Sequence, residues 1–189
     1  TSTDVLGRLY ALKLSEALGQ TVIPENKAGA GGNIAGEAVA RSAPDGYTLT
    51  FSTSAVHATN QALYGTLPFD PVKDFTHITF LVSAPNMLAV NATVPAKNVA
   101  ELIAYAKANP GKLTFISAGS GTSPHMSGEL LKSLAGIEMT HVPYKSITQG
   151  FADLMAGQVS MTFYHVPVIY PYVKDGRLRA LGVATRTRS

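Results

Sequence analysis

Segments of strand character alternate with segments of helical character along the 189-residue chain, and this alternation predicts an α/β sheet with right-handed crossovers. A second observation agrees. Two strand-like runs, Tyr47–Phe51 and Leu113–Ser117, end in loops rich in Ser and Thr that lead into helices. The third is composition: with 46% hydrophobic and 14% charged residues, the chain can bury a core and lacks the profile of a disordered segment. In open α/β sheets ligands bind beyond the carboxyl ends of the strands, where these loops lie.

The elements follow from local signals. Thr1-Ser-Thr-Asp4 caps a helix over Val5–Leu18, with Leu6, Tyr10, Leu14 and Leu18 along one face and Gly19 as its stop. Val22 and Ile23 begin a short strand, a glycine-rich loop covers 27–32, and a helix spans about Asn33 to Ser42. Pro44-Asp-Gly46 is a turn, since Pro presets φ and Gly permits positive φ. Tyr47–Phe51 alternates as a strand and delivers Ser52–His57 just before a short helix; Leu67–Pro71 is irregular. Thr76–Ser83 and Asn86–Asn91 read as strands.

Asn98-Val-Ala-Glu101 forms a capping-box pattern with Asn at the cap, and Val99, Leu102, Ile103 and Ala106 fall on one helical face that Asn109-Pro-Gly111 closes. Leu113–Ser117 is a strand, and Met126–Leu134 a helix that ends at Gly136. Glu138–Val142 is a strand and Tyr144–Gln149 a polar loop. Phe151, Leu154 and Met155 mark a helix stopped by Gly157. Val159–Tyr164 is a strand, Val168–Lys174 a helix despite Pro171, and Leu178–Ala184 the final strand.

The segment between Leu113–Ser117 and the next helix concentrates the chemistry. Gly119 and Gly121 let the backbone turn tightly and approach a ligand. Ser120, Thr122 and Ser123 supply hydroxyls, and Pro124 suits the first helical position, which makes Ser123 the N-cap. A strand that feeds a helix through such a loop offers backbone N–H groups and the positive end of a helix dipole, a place for a carboxylate or a phosphate. An ordinary capped Gly/Ser loop has the same residues. His125 can contact a ligand there, or it can cap and pack locally.

Several chemistries are excluded. With no cysteine there is no disulfide, thiolate nucleophile or Cys-based zinc site, a composition that fits an exported bacterial protein. The five histidines (57, 77, 125, 141 and 165) show no helical ligand spacing, so no metal site is expected. Gly119-Ser-Gly121 and Gly29-Ala-Gly31 lack the third glycine of a dinucleotide fingerprint, and no P-loop or nucleophile elbow occurs. No cofactor is expected. Net charge is +3 and, apart from Arg177, Arg179, Arg186 and Arg188, basic residues are dispersed. That pattern suits small anions better than nucleic acid. No apolar run approaches the roughly 18 residues of a membrane span, and no basic-then-apolar segment opens the given sequence, so any signal peptide is expected to have been removed or not included.

Successive blocks then resemble one family. They are Thr1–Leu9, the stretch from Val22 to Ile34, Ala43–Leu49, Leu67–Phe75, Pro95–Val99, Ser117–His125, His141–Lys145 and Arg179–Thr185. Together they resemble the periplasmic solute receptors of tripartite tricarboxylate transporters, the Bug-type proteins, over essentially the whole chain. The resemblance implies a type II periplasmic-binding-protein-like fold, a Venus flytrap of two Rossmann-like α/β domains. It implies a small carboxylate ligand (a di- or tricarboxylate or an aromatic carboxylate), permease subunits as partners, a periplasmic location and no enzymatic activity. The alternatives are the ligand-sensing domain of a transcriptional regulator, or an enzyme acting on an anionic metabolite.

Carried over by motif, the expected ligand contacts are Thr1, Ser2 and Asp4; Ser52, Thr53, Ser54 and His57; Ser120, Gly121, Thr122, Ser123 and His125; and Tyr144, Tyr164 and His165. Domain 1 is expected over 1–81 and domain 2 over 82–183, with 184–189 starting a return to domain 1. Against the family domain 1 reads as incomplete, so either further residues complete its sheet or its edge pairs with another copy. Two departures from the family matter. Lys145-Ser-Ile-Thr-Gln149 stands where a Gly-rich stretch is usual, and Val159–His165 carries no acid where relatives often have an Asp. The missing acid argues against an amino-acid ligand and for a plain carboxylate, with Tyr144 and Tyr164 suited to an aromatic one.

Overall fold

The computed structural model describes residues 2–185. The chain divides between Ile78 and Thr79 into two compact units.

Unit 2 contains a five-stranded sheet in the order β3-β2-β4-β1-β5. Its strands are β1 (Asn86–Asn91), β2 (Leu113–Ser117), β3 (Met139–Pro143), β4 (Met161–His165) and β5 (Leu178–Val183). Four helices connect them: α4 (Val99–Ala108), α5 (Ser123–Ala135), α6 (Ile147–Met155) and α7 (Val166–Lys174). β2 pairs in parallel with both β3 and β4, so β3, β2 and β4 all point the same way. β1 runs antiparallel to β4 and β5.

Both faces of this sheet are covered, which explains why its strands read as apolar runs. Along β1, Leu88 and Val90 join Leu102, Leu113, Phe115, Met139 and Met161 in one cluster. Met87 and Ala89 point the other way, against Ile116, Phe151, Leu154 and Ile169. The period of two thus divides one strand between two cores. Asn98 caps α4 as its spacing predicts: Oδ1 accepts from the Glu101 N–H at 2.9 Å, while Glu101 Oε2 accepts from the Lys97 N–H at 2.8 Å.

Boundaries differ from the sequence expectation at several ends. α5 starts at Ser123, with Thr122 at the N-cap. α6 starts at Ile147, inside the stretch expected to be a polar loop, because Ile147, Phe151 and Leu154 bury one face while Thr148 and Gln149 stay exposed. α7 begins at Val166 and accommodates Pro167 in its first turn and Pro171 within.

Unit 1 is helical among its described residues: α1 (Ser2–Leu18), α2 (Asn33–Ala40) and α3 (Asn60–Tyr64), with a π-helical turn at Ala55–Thr59 leading into α3. Ala11 is the buried residue of α1, Leu6 and Tyr10 are half-buried, and Leu14 and Leu18 are exposed. α2 packs on Val56 and Phe69 through Gly36, where a Cβ would lie 2.9 Å from the Phe69 ring. Asn60 is fully buried and its amide donates to Asn33 Oδ1 at 2.6 Å and to the Gly31 carbonyl at 3.2 Å.

The strands expected near Val22, at Tyr47–Phe51 and at Thr76–Ser83 are not present. A strand is defined by its ladder, and none of these segments pairs with another among the described residues. Their apolar side chains stand out: Ile23 and Phe80 are each 82% exposed and Tyr47 is 92% exposed. No helix among the described residues is long and apolar enough to cross a membrane.

Candidate functional site

Because β3, β2 and β4 are parallel, their carboxyl ends meet one edge of the sheet. Pro143 leads there into Tyr144, Ser117 into the glycine loop, and β4 ends at His165. Asn86 reaches the same edge as the register partner of His165, and its amide donates to Ser127 Oγ on α5 at 3.1 Å. The topology therefore gathers the unit 2 candidates that were read from three separate loops.

The β2–α5 loop is held from within. Gly119 and Gly121 have φ of 121° and 85°, left-handed values that favour glycine. The Thr122 hydroxyl donates to the Gly119 carbonyl at 2.6 Å instead of capping α5, and no side chain caps that helix. The Ser123 and His125 N–H groups in the first turn of α5 thus have no side-chain cap, and they lie beside the hydroxyls of Ser120 and the exposed Ser123. Such a set of donors at a helix start can hold an anion.

His125 has a defined part in this loop. Its Nδ1 accepts the Gly121 N–H at 3.1 Å, which fixes the neutral ring with its proton on Nε2. Nε2 lies 4.0 Å from Glu129 Oε1. Against the ring, at 4.2 Å between centroids, lies His141 of β3, and Phe115 of β2 stacks on both. His141 Nε2 is 2.7 Å from Ser117 Oγ, and that oxygen accepts the Gly119 N–H at 3.0 Å. Burial, followed by the neighbouring His125, lowers the His141 pKa from 6.5 to about 4. Burial also lowers the pKa of His125, opposed by Glu129.

Tyr144 follows β3 and its N–H donates to the Ser117 carbonyl at 3.0 Å, which ties the two loops together. Its hydroxyl donates to Asp153 Oδ2 at 2.7 Å, and that bond raises the phenol pKa to about 12. Tyr164 is 3% exposed, with its ring edge-on to Phe151 at 4.9 Å; it fills the core instead of offering its face to the sheet edge. His165 stands at the N-cap position of α7 at that edge, and burial lowers its pKa.

The unit 1 candidates do not form a comparable cluster. Thr1 lies outside the described residues. Ser2 and Asp4 sit in the first turn of α1. Asp4 Oδ1 accepts from Asn26 at 2.5 Å and from Arg8 at 3.0 Å, which together lower its pKa, so this carboxylate is a local brace. Ser52 is half-buried, Thr53 and Ser54 are exposed, and the π-helical turn follows Ser54. His57 is committed inside the unit: its Nδ1 is 3.0 Å from the Pro71 carbonyl, and Phe75 and His77 pack on its ring.

Sequence reasoning missed Ser117, His141 and Asn86. Their only sequence signal is a polar residue within a largely apolar strand segment. Among the described residues no group of three or more His, Asp or Glu side chains is placed to hold a metal ion.

The fold and this edge define an α/β unit whose strand ends and glycine loop converge at one side of the sheet. The family model of the tripartite tricarboxylate transporter family receptors, TctC, matches residues 6–189, and the chain belongs to that family. A Cupriavidus necator protein, the UPF0065 protein in the gbd 5'region, is 42% identical over 189 residues, which is all of this chain and 57% of the relative. BugT of Bordetella pertussis is 34% identical over 189 residues, 58% of its length. Among solved structures, R. palustris Rpa4515 with adipate is similar at 39% identity and a TM-score of 0.93, over 100% of this chain and 64% of that one. MatC (Rpa3494) from Rhodopseudomonas palustris with bound malate is similar at 31% identity and a TM-score of 0.91, over 98% of this chain and 63% of that one. The chain thus spans somewhat under two thirds of the relatives that it matches.

Proposed function

We propose that this chain is the ligand-binding part of a periplasmic receptor that captures a small dicarboxylate for a tripartite tricarboxylate-type permease and performs no reaction on it. The observation that carries this reading is the β2–α5 loop, where left-handed glycines, unshared hydroxyls and an uncapped helix start converge at the carboxyl edge of three parallel strands. One end of the ligand would sit on these donors. The adipate and malate in two related structures support a dicarboxylate. The absence of an acid between Val159 and His165 supports a ligand without an amino group. Tyr144 bounds the same edge, while Ser52, Thr53 and Ser54 remain proposed as hydroxyl donors of unit 1.

Calorimetric titration with adipate, malate and a panel of aromatic and tricarboxylic acids tests the proposal. At least one should bind saturably, without turnover, and raise the melting temperature by mass action. Gly119→Ala or Gly121→Ala, each forcing a side chain into a left-handed position, should weaken binding at least about tenfold, the loss of roughly one charge-assisted hydrogen bond. No saturable binding by any acid in the panel, or a product released from a bound one, would overturn it.

A further inference from the structure

The Ser117–His141–His125 cluster lies under the loop, and nothing in simple anion capture requires two imidazoles in contact there. Within it, His141 Nε2 lies 2.7 Å from Ser117 Oγ. Three contacts join it to the loop backbone: Ser117 Oγ accepts the Gly119 N–H, the same hydroxyl can donate to the Gly119 carbonyl, and His125 Nδ1 accepts the Gly121 N–H. Only the last contact depends strictly on protonation. A proton on Nδ1 would point at the Gly121 N–H, and two donors cannot share a hydrogen bond. The Ser117 hydroxyl can accept from His141 Nε2 or donate to it, so a proton on His141 leaves that contact intact.

We infer that the ring pair His125 and His141, in tilted contact, is a proton-sensitive latch under the β2–α5 loop, closed while both rings are neutral and opened by one proton on His125. This inference rests on the reading of the loop as the anion site.

The surroundings decide the direction. From α5, His125 faces Glu129, 4.0 Å from Nε2, and Lys132; from β3 it faces His141; from β2, the uncharged Phe115. His141 faces the same Glu129 and Lys132, along with His125 and the Ser117 hydroxyl. Glu129 stabilises an imidazolium at His125, so that ring takes the first proton, and a charged His125 then opposes a second proton on His141. The new positive charge would by itself favour an anion. Glu129, already paired with Lys132 at 2.9 Å, offsets part of it, whereas the Gly121 bond is lost outright and the loop with it. Capture is therefore tight at neutral pH and weakens in acid.

The experiment follows the ¹⁵N-labelled full chain by NMR without ligand and, in parallel, titrates adipate between pH 8 and pH 5. The Gly121 amide and the His125 ring should titrate with one midpoint, and adipate should bind about fivefold to tenfold more weakly at the acid end, the equivalent of one hydrogen bond. In His125→Asn the amide oxygen can replace Nδ1 as acceptor but cannot titrate, and the pH profile of adipate binding should flatten, whatever its absolute affinity. A Gly121 amide indifferent to the His125 titration, or an equal acid loss in His125→Asn, overturns the latch. If adipate binds at no pH, the anion reading is at fault, and the ligand-free Gly121 titration still decides whether the latch exists.

Discussion

His141 Nε2 sits 2.7 Å from Ser117 Oγ, although the two residues are 24 positions apart in the chain. The β2–β3 register explains the meeting. Phe115 is opposite His141, and Ser117, two residues further on, points to the same face, within reach of a long side chain on the diagonal. Ser117 is fully buried. Ser117→Ala should therefore cost about 1–3 kcal/mol, because it strands the buried His141 nitrogen and frees the Gly119 N–H. Urea unfolding measures the cost. A change well under about 0.5 kcal/mol would mean that the contact contributes little.

Stability should depend on pH through the same cluster. The folded state holds His141 at about 4, against 6.5 for a free histidine, so between those values the unfolded chain binds more protons. Stability from this group is complete above pH 6.5 and declines as pH falls toward 4. His125 shifts in the same direction. Chemical denaturation across this range, compared with His141→Gln, should show a shallower acid decline in the variant.

Gly128 places α5 against β2. A Cβ there would lie 2.6 Å from Phe115 Cδ2 and closer still to Cε2. Alanine favours a helix over glycine by about 1 kcal/mol, but overpacking at a buried ring typically costs about 1–3 kcal/mol. Gly128→Ala is therefore expected to destabilise the protein. Since Phe115 also stacks on His125 and His141, the variant should perturb both histidine rings in an NMR spectrum.

Asn98 offers a control far from the loop. Its Oδ1 accepts the Glu101 N–H at 2.9 Å, and Asn98→Ala should lose about 1 kcal/mol of stability, as for other N-caps. Carboxylate affinity should not change, and calorimetry on the variant checks that separation.

Much of unit 2 could be read without the structure because its signals are local. The Asn98 cap, the apolar face of α4, the apolar run of β2 and the glycines after it lie within one turn or one strand of the residues they organise. The misreadings share a cause. Val22–Ile23, Tyr47–Phe51 and Thr76–Ser83 carry strand-like composition, yet a strand exists only with a partner, and alternation along one segment does not reveal whether a neighbour is present. Tyr164 has the residue type of a ligand contact, but its place in β4 turns it into the core beside Phe151.

The sequence by itself determined the α/β class, the blocks that mark the receptor family and the glycine loop with its hydroxyls, since each is written in contiguous residues. Tertiary structure alone decided that three loops share one sheet edge, that Thr122 leaves α5 uncapped, and that the His125 and His141 rings meet beneath the loop. Those relationships depend on strand order, register and the direction of each side chain. These are set by packing among distant residues, so no single stretch of the chain contains them.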